Sequence, residues 1–391
     1  MKLTKDVLYL LDKINESGFE GYIVGGCVRD YLMGLTPHDY DITTNALPED
    51  IKKIFPHTFD TGIQHGTVTV VHNSVNYEVT TYRIDGKYKD NRHPDEVTFT
   101  DDITKDLSRR DFTMNAIAYS PDKGYADPFG GREDIKKGII RGVREPNLRF
   151  REDALRMLRA LRFSAQLGFE IEEKTYEAVK NNAGLIKNVS IERITTEFLR
   201  LITSEHREKL LLIDETKLFE ECAPEISRAL RQRGKQIAEI LKKADKGEDI
   251  ALCIILAYEE NPERTLKNLK MSNSLIKSAL SLIKYYDFKI DGSEYDLRKL
   301  LSEMGKDGLL KLLNIKKAKG EQYISEAEKF IKNEEQITIK SLDINGRDIT
   351  GLGFKGPEIG YTLNRLLDFV LLNPENNKKE ILLKEAFKWL H

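Results

Sequence analysis

Short apolar runs separated by turns fill the chain up to about residue 140. The opening segment MKLTKDVLYLLDKINESGF carries apolar residues three and four apart and predicts a short amphipathic helix. GYIVGG reads as a brief apolar strand ending at Gly25-Gly26, and VRDYLMG as the helix that follows. GTVTVVHNSVNYEVTTYR reads as a hairpin, two β-rich runs around Asn73-Ser74. The stretch IDGKYKDNRHPD, from Ile84 to Asp95, predicts a mobile loop rich in glycine, proline and mixed charge. DFTMNAIAY is a further apolar segment and ADPFGG a turn. Beyond about Arg149 the period changes. EDALRMLRALRFSAQL, TYEAVKNNAGLI and ERITTEFLRLI repeat their apolar residues at helical spacing. From about His206 to Glu335 lysine and glutamate dominate, with leucine and isoleucine at the same spacing, and one short strand is expected near Gln336 to Leu342. GLGFKGPEIG interrupts the tail before a helix resumes at Pro357, a favourable first-turn position for proline. The pattern predicts a mixed α and β head followed by a long all-helical remainder.

Composition narrows the class. With 391 residues, 40% hydrophobic and 32% charged, the chain reads as a soluble globular protein of two or more domains. A net charge of -2 gives no global attraction to nucleic acid, so any RNA affinity has to come from a local basic surface. Cys27, Cys222 and Cys253 are far apart and form no C-x-x-C pair, which argues against a disulfide framework or zinc ribbon and fits a reducing cytoplasm. The N-terminus is too polar for a signal peptide. No stretch approaches the roughly 18 apolar residues of a membrane span, so no membrane partner is expected.

The sharpest constellation is Gly25-Gly26, then Arg29, then Asp39-Tyr40-Asp41. On a strand, Asp39 and Asp41 would share a face, because strand side chains alternate. Two adjacent carboxylates repel unless a positive group lies between them. Magnesium suits that position, a hard ion that takes a few carboxylates and shares its remaining shell with phosphate. The glycines let backbone N–H groups approach a triphosphate, and Arg29 adds a charged donor. Glu78, on a neighbouring predicted strand, is a candidate third acidic group in a supporting role.

Two arginine-rich segments follow. DLSRRDFTMNA supplies Arg109, Arg110, Asp111 and Asn115. Arg110 is a candidate for a triphosphate oxygen, and Asp111 with Asn115 for ribose hydroxyls. From Arg141 to Arg162 there are seven arginines against three acids. At about 100° per helical residue, Arg156, Arg159 and Arg162 step round one half of the cylinder from Asp153, and apolar residues fill the other. Asp153 and Arg156 together match the pairing edges of cytosine and adenine. Uracil and guanine present the reverse order and would leave buried polar groups unmatched, which is costly. Two side chains could thus admit C and A without a nucleic-acid template.

At this point the sequence resembles the class II tRNA nucleotidyltransferases, the CCA-adding family. The resemblance runs nearly end to end: Gly-Gly with D-Y-D, R-R-D, E-D-A-L-R, S-I-E-R-I-T-x-E, and the tail GLGFKGPEIG with its closing A-F-K-W-L. It implies an α+β nucleotidyltransferase head with a polymerase-β-like mixed sheet, followed by an elongated all-α neck, body and tail. The implied boundaries are 1–140 for the head, 141–205 for the neck with its nucleotide-selecting helix, 206–335 for the body and 336–391 for a tRNA-binding tail. It implies tRNA as partner, CTP and ATP as substrates, pyrophosphate release, and two Mg2+ ions on the catalytic pair Asp39 and Asp41. The nucleotide site it implies comprises Gly25, Gly26, Arg29, Arg110, Asp111, Asn115, Asp153, Arg156, Arg159 and Arg162.

Beyond residue 100 the only histidines are His206 and His391, so the histidine-clustered phosphohydrolase domain of some relatives is not expected. The arginine-rich extension of bacterial poly(A) polymerases is also missing from the pattern. Relatives that add only CC tend to lack the flexible stretch that runs here from Arg83 toward Asp106, so the resemblance implies full CCA or terminal-A addition. Rival readings are an enzyme adding only the terminal A, a poly(A) polymerase, a transferase acting on a small molecule, and a non-catalytic RNA-binding protein on a decayed head. The intact acidic pair and both arginine motifs weigh against the last.

Overall fold

The computed structural model describes residues 1–37, 39–86 and 97–390. The chain divides into two compact units, Met1–Arg231 and Gln232–His391.

Among the described residues the first unit carries, up to residue 126, the strands β1 (Gly21–Val24), β2 (Asp41–Thr44), β3 (Thr58–Gly62), β4 (Thr67–His72), β5 (Val75–Thr81), β6 (Arg83–Asp85), β7 (Val97–Phe99), β8 (Ala118–Ser120) and β9 (Gly124–Ala126). Seven of them form one mixed sheet in the order β3-β4-β5-β2-β1-β8-β9, and among the described residues β6 pairs with β7 alone. The helices of this part are α1 (Lys5–Glu16), α2 (Gly26–Leu32), α3 (Pro48–Ile54), α4 (Ile103–Ser108) and α5 (Gly131–Lys137). The amphipathic reading of the N-terminus holds. Thr4 caps α1, its hydroxyl accepting the Val7 N–H at 3.3 Å, and Val7, Leu10, Leu11 and Ile14 are buried. The predicted hairpin is β4–β5. Asn73 and Ser74 both take positive φ, 49° and 63°, as a two-residue turn that matches strand twist requires.

Sheet register gathers the chemistry at one end. Val24 pairs with Asp41 on one side and with Ala118 on the other. The glycine pair leaving β1, Asp41 opening β2 and Asn115 ahead of β8 therefore converge. The Gly25 N–H closes the corner by donating to the Ile117 carbonyl at 3.1 Å. The parallel pair Ile42–Val79 sets Glu78 of β5 beside Asp41.

The helices α6 (Pro146–Glu152), α7 (Leu155–Leu167), α8 (Glu173–Asn182) and α9 (Ile191–Ile202) belong to the same unit. Met157, Leu158 and Leu161 of α7 and Ile194, Phe198 and Leu201 of α9 are fully buried where these two helices pack. The expected single helix through EDALRMLRALRF is two. Asp153 has φ -139° and ψ 102°, outside helical geometry, and its carboxylate accepts the Leu155 N–H at 3.1 Å. Aspartate competes for backbone donors in this way and so breaks a helix where pattern alone would continue it.

Strand pattern also misplaced two short elements. Glu170–Ile171 forms a two-residue parallel ladder with Ile139–Ile140. The strand expected near Gln336 to Leu342 is instead a tight helical turn at Ile339–Ser341, where the Thr338 and Ser341 side chains cap each other's backbone. The loop expected from Ile84 to Asp95 begins inside β6, and residues 87–96 lie outside the described residues.

The second unit is helical, with no strand among the described residues. Glu248–Leu256 is buried along nearly its whole length. Glu294–Lys319 breaks helical geometry at Gly305, where φ is 71°. Near the C-terminus Ile349, Leu366, Val370, Leu382 and Ala386 form a dry cluster. Among the described residues no helix is long and apolar enough to cross a membrane.

Gly131 opens α5, and a Cβ there would lie 2.1 Å from the Thr113 carbonyl oxygen. Gly131→Ala is therefore expected to destabilise the first unit by about 1–3 kcal/mol, as overpacking commonly does. Calorimetry of the full chain should show a lower thermal midpoint, and an unchanged midpoint would mean that the α5 turn yields.

Candidate active site

Asp41 opens β2, and Asp39 lies two residues before it, so the pair straddles a loop and a strand end instead of sharing one strand. Both line a cavity of about 660 Å3 together with Glu78, Asn76, Thr69 and Phe59. The surrounding protein raises the Asp41 carboxyl above its ordinary value. The Arg110 guanidinium pulls it back, and the neighbouring Asp39 charge raises it further. Among the described residues no group of three His, Cys, Asp or Glu side chains is assembled to hold a metal unaided.

On the other flank of Asp41, Gly25 has φ 82°, and a Cβ there would meet Arg110 Nη1 at 3.1 Å. Glycine thus lets the guanidinium lie against the β1–α2 corner. Gly26 is similarly open toward Arg29, whose Nη2 lies 3.7 Å from its missing Cβ. Arg110 is held from behind by Asp106, with Nη2 3.6 Å from Oδ2, while its own buried Nε finds no hydrogen-bond partner among the described residues. Asp106 is fully buried. It also binds Arg109 at 2.7 Å and accepts the Arg83 N–H at 3.3 Å. Sequence reasoning missed this carboxylate, although its spacing three and four residues ahead of Arg109 and Arg110 is the helical pairing signal.

From Arg29 a hydrogen-bonded chain runs into the helices. Arg29 Nη1 donates to Asn115 Oδ1 at 2.8 Å, and Nε and Nη2 bind Asp30. The Asn115 amide donates to Asp111 at 3.2 Å, and Asp111 Oδ2 takes two bonds from Arg159 at 2.9 and 2.7 Å. Arg159 lies 3.5 Å from Glu197, which also holds Arg162 at 2.8 Å. The Phe163 ring sits among three guanidiniums, 3.5 Å from Arg162, 5.2 Å from Arg29 and 5.3 Å from Arg159. Burial alone would raise the Asp111 carboxyl. The charge and hydrogen bonds of Arg159, with help from Asn115 and Arg156, outweigh it and hold the group down to about 2.

Asp153 and Arg156 stand differently from the helical-wheel picture. Asp153 lies in the α6–α7 junction and pairs with Arg193 of α9 at 2.8 Å. Arg156 is buried on α7, where it binds Glu152 at 2.8 Å and donates to the Arg109 carbonyl at 2.9 Å. That last bond joins it to the Arg109-Arg110 segment. The cavity at the two aspartates is lined by neither residue. Arg193 and Glu197, the R and the final E of S-I-E-R-I-T-x-E, carry functional contacts that sequence reasoning missed. Their period of four on α9 places one against Asp153 and the other against Arg159 and Arg162.

The arrangement combines a carboxylate pair, an arginine aimed at a glycine corner and a chain of ion pairs leading to a second helix layer. This suits phosphoryl transfer from a bound triphosphate, where positioning and charge neutralisation do most of the work.

Comparison with known proteins gives the same direction. Residues 21–141 match the poly A polymerase head domain, residues 168–230 the RNA and SrmB binding site of polymerase A, and residues 243–386 tRNA nucleotidyltransferase domain 2. The CCA-adding enzyme of Lactobacillus helveticus is 36% identical over 96% of this chain and 94% of its own length. That of Limosilactobacillus fermentum is 37% identical over 96% and 95%. The crystal structure of the Bacillus stearothermophilus CCA-adding enzyme in complex with CTP superposes with a TM-score of 0.84 at 32% identity, covering 100% of this chain and 98% of that one. The Thermotoga maritima CCA-adding enzyme complexed with tRNA shares the fold, with a TM-score of 0.64 at 22% identity over 100% and 97% of the two chains.

The Asp111–Arg159 pair carries an acid-sensitive share of stability. A carboxylate depressed from 3.8 to about 2 stabilises the fold above its ordinary value, and that contribution disappears as pH falls through the folded one. It amounts to about 2 kcal/mol. Asp111→Asn is expected to be less stable at neutral pH and to lose less stability between about pH 4 and pH 2 than the parent. Parallel slopes in denaturant titrations across that range would contradict the ion pair.

Proposed function

The chain belongs to the CCA-adding enzymes, and on that footing we propose that it adds C, C and A in turn to the 3′ end of tRNA, consuming CTP and ATP and releasing pyrophosphate. The observation that carries this reading is the junction at Arg110. One guanidinium lies between the acidic strand end and the glycine corner, backed by a buried carboxylate, and its chain neighbours Arg109 and Asp111 bond to Arg156 and Arg159 of α7. Addition of A alone and poly(A) synthesis are less favoured, because relatives covering nearly the whole chain are CCA-adding enzymes.

Magnesium is the ion that suits Asp39 and Asp41. Two carboxylates, with no three-residue cage among the described side chains, leave coordination positions for phosphate oxygens and water, which is how magnesium is commonly held. When bound, magnesium supplies acidification of the tRNA 3′-hydroxyl and neutralisation of the departing pyrophosphate. The protein's own share is orientation. Arg110 and Arg29 receive the triphosphate beside the glycine pair, with Arg159 and Arg162 extending the positive wall. Asp111 and Asn115 face the ribose. Asp153 and Arg156 read the pairing edge of the incoming base, exchanging their contacts with Arg193 and Glu152 for the base itself. We take residues 1–140 as catalytic head, 141–205 as neck, 206–335 as body and 336–391 as tail, the helical parts holding tRNA by backbone shape and charge. Three free, separated cysteines fit work in the reducing cytoplasm.

Asp39→Ala is expected to reduce transfer to background while circular dichroism stays unchanged; incorporation at the parental rate would refute the metal assignment. Substrates ending before CC and after CC, and a generic oligoribonucleotide, separate CCA addition from A addition and poly(A) synthesis. Asp153→Ala and Arg156→Ala should each relax rejection of UTP and GTP about 5- to 150-fold, since an unmatched buried polar partner costs about 1–3 kcal/mol. Unaltered discrimination in both variants would contradict the pairing model.

A further inference from the structure

The arginines assigned above to the triphosphate come from separate elements, Arg29 from α2 and Arg159 and Arg162 from α7. Their carboxylate partners are just as scattered. Arg29 binds Asp30 of its own helix at 2.7 Å, Arg159 binds Asp111 at 2.7 Å, and Arg162 binds Glu197 of α9 at 2.8 Å. Among the described residues Arg29 shares no carboxylate with Arg159 or Arg162. The acids therefore draw the cations toward different elements, and like-charge repulsion acts in the same sense. A triphosphate is better served by cations kept around one centre, and the structure has to supply something that keeps them there.

The group common to all three is the Phe163 ring of α7. The Arg162 guanidinium carbon is 3.5 Å from the ring centroid, so close that it can only stand over a face. Those of Arg29 and Arg159 lie over the same ring at 5.2 and 5.3 Å. The faces of an aromatic ring are its negative side and attract cations, the more so where water is excluded. Phe163 is only 4% exposed, so a nucleobase cannot lie flat on it, and its faces serve the guanidiniums. Its tilt is set from the other direction. Phe112 meets it in a T-shaped contact, 5.8 Å between centroids at 85°. Phe112 is fully buried, follows Asp111 directly and bridges to Gly142. The ring is thereby fixed to the segment that carries Asp111 and Asn115.

We propose that Phe163 is a positioning residue for the triphosphate: its ring gathers Arg29, Arg159 and Arg162 round one centre before the nucleotide arrives, without touching the nucleotide itself. The proposal rests on the reading of these arginines as the triphosphate wall and adds what holds them in place. A ring that acts on the arginines acts on what CTP and ATP have in common. It therefore contributes equally to both and leaves the choice of base to other side chains. Cations already assembled bind the triphosphate in the ground state and the transition state alike, which is seen in KM and not in kcat.

The test uses the full-length chain with Phe163→Leu, Phe163→Met and Phe163→Tyr. Leucine and methionine keep an apolar side chain of similar volume without a ring, so either one carries the test should the other fold poorly; tyrosine keeps the ring. Phe163→Leu and Phe163→Met are expected to raise the KM for CTP and for ATP by the same factor, about 2- to 30-fold, the span of one cation–π contact from exposed to desolvated. The inhibition constant of inorganic triphosphate, which has neither base nor ribose, should rise by that factor too. The kcat at saturating nucleotide, the KM for tRNA and the rejection of UTP and GTP should stay at parental values, and Phe163→Tyr should bind CTP, ATP and inorganic triphosphate as the parent does. Parental affinity for inorganic triphosphate in a ringless variant overturns the proposal and leaves the transfer reading standing. So does an effect on CTP or ATP alone, which would place Phe163 at the base, and so does a Phe163→Tyr variant as weak as Phe163→Leu, which would reduce the ring to packing. Absence of transfer by the parent protein overturns the underlying reading itself.

Discussion

A guanidinium taken out of water must meet a carboxylate, and the architecture around the site follows from that constraint. Arg29, Arg156 and Arg162 are buried, and each bonds to an acid: Asp30, Glu152 and Glu197 respectively. An unpaired charge at such depth would cost several kcal/mol. Arg159 is shared between Asp111 of the head and Glu197 of α9. Removing the helices from the sheet would strand charges on both sides. This is a physical reason for the sheet and helices α6 to α9 to form one compact unit. The near-neutral net charge of the chain conceals the concentration of paired charge inside it.

Strand order then divides the labour. β2 stands in the middle of the sheet and carries Asp41 at its first residue. Among the described residues the cations near that point, Arg29 and Arg110, come from α2 and the segment after α4, whereas the β3–β4–β5 side lines the cavity with Glu78, Thr61, Thr69, Asn76 and the rings of Phe59 and Tyr77. Asp106 ties the cationic side together from below, touching Thr43 of β2 as well as Arg109 and Arg110. A single buried carboxylate thereby sets the spacing between the acidic strand and the arginine pair.

Much of this was legible in the sequence because it depends on local rules. The β4–β5 hairpin was visible because Asn-Ser between β-rich runs dictates a tight turn. The glycine corner was visible because a strand ending in Gly-Gly ahead of an arginine has few other purposes. The apolar stripe of α7 was visible in its period. What escaped depends on partners distant along the chain. Asp153 continued a helical pattern on paper, yet it bonds the Leu155 N–H and Arg193, 40 residues away, and the helix breaks there. Asp106 was not singled out, because nothing local marks it as buried; its partners Thr43 and the Arg83 N–H are distant along the chain. Glu170–Ile171 is too short to show a period and exists only because Ile139–Ile140 lies beside it.

The break between α6 and α7 has a mechanical consequence. A residue inside a helix cannot turn its backbone without rupturing the ladder on both sides. Asp153 has non-helical dihedrals where the two ladders meet, its N–H donating to the Arg149 carbonyl and its carbonyl accepting the Arg156 N–H, so it fixes the corner between α6 and α7 while Arg156, Arg159 and Arg162 are carried by α7. The same corner holds the Asp153 carboxylate against the Leu155 N–H and Arg193, so the row of side chains from Asp153 to Arg162 starts from an anchored end.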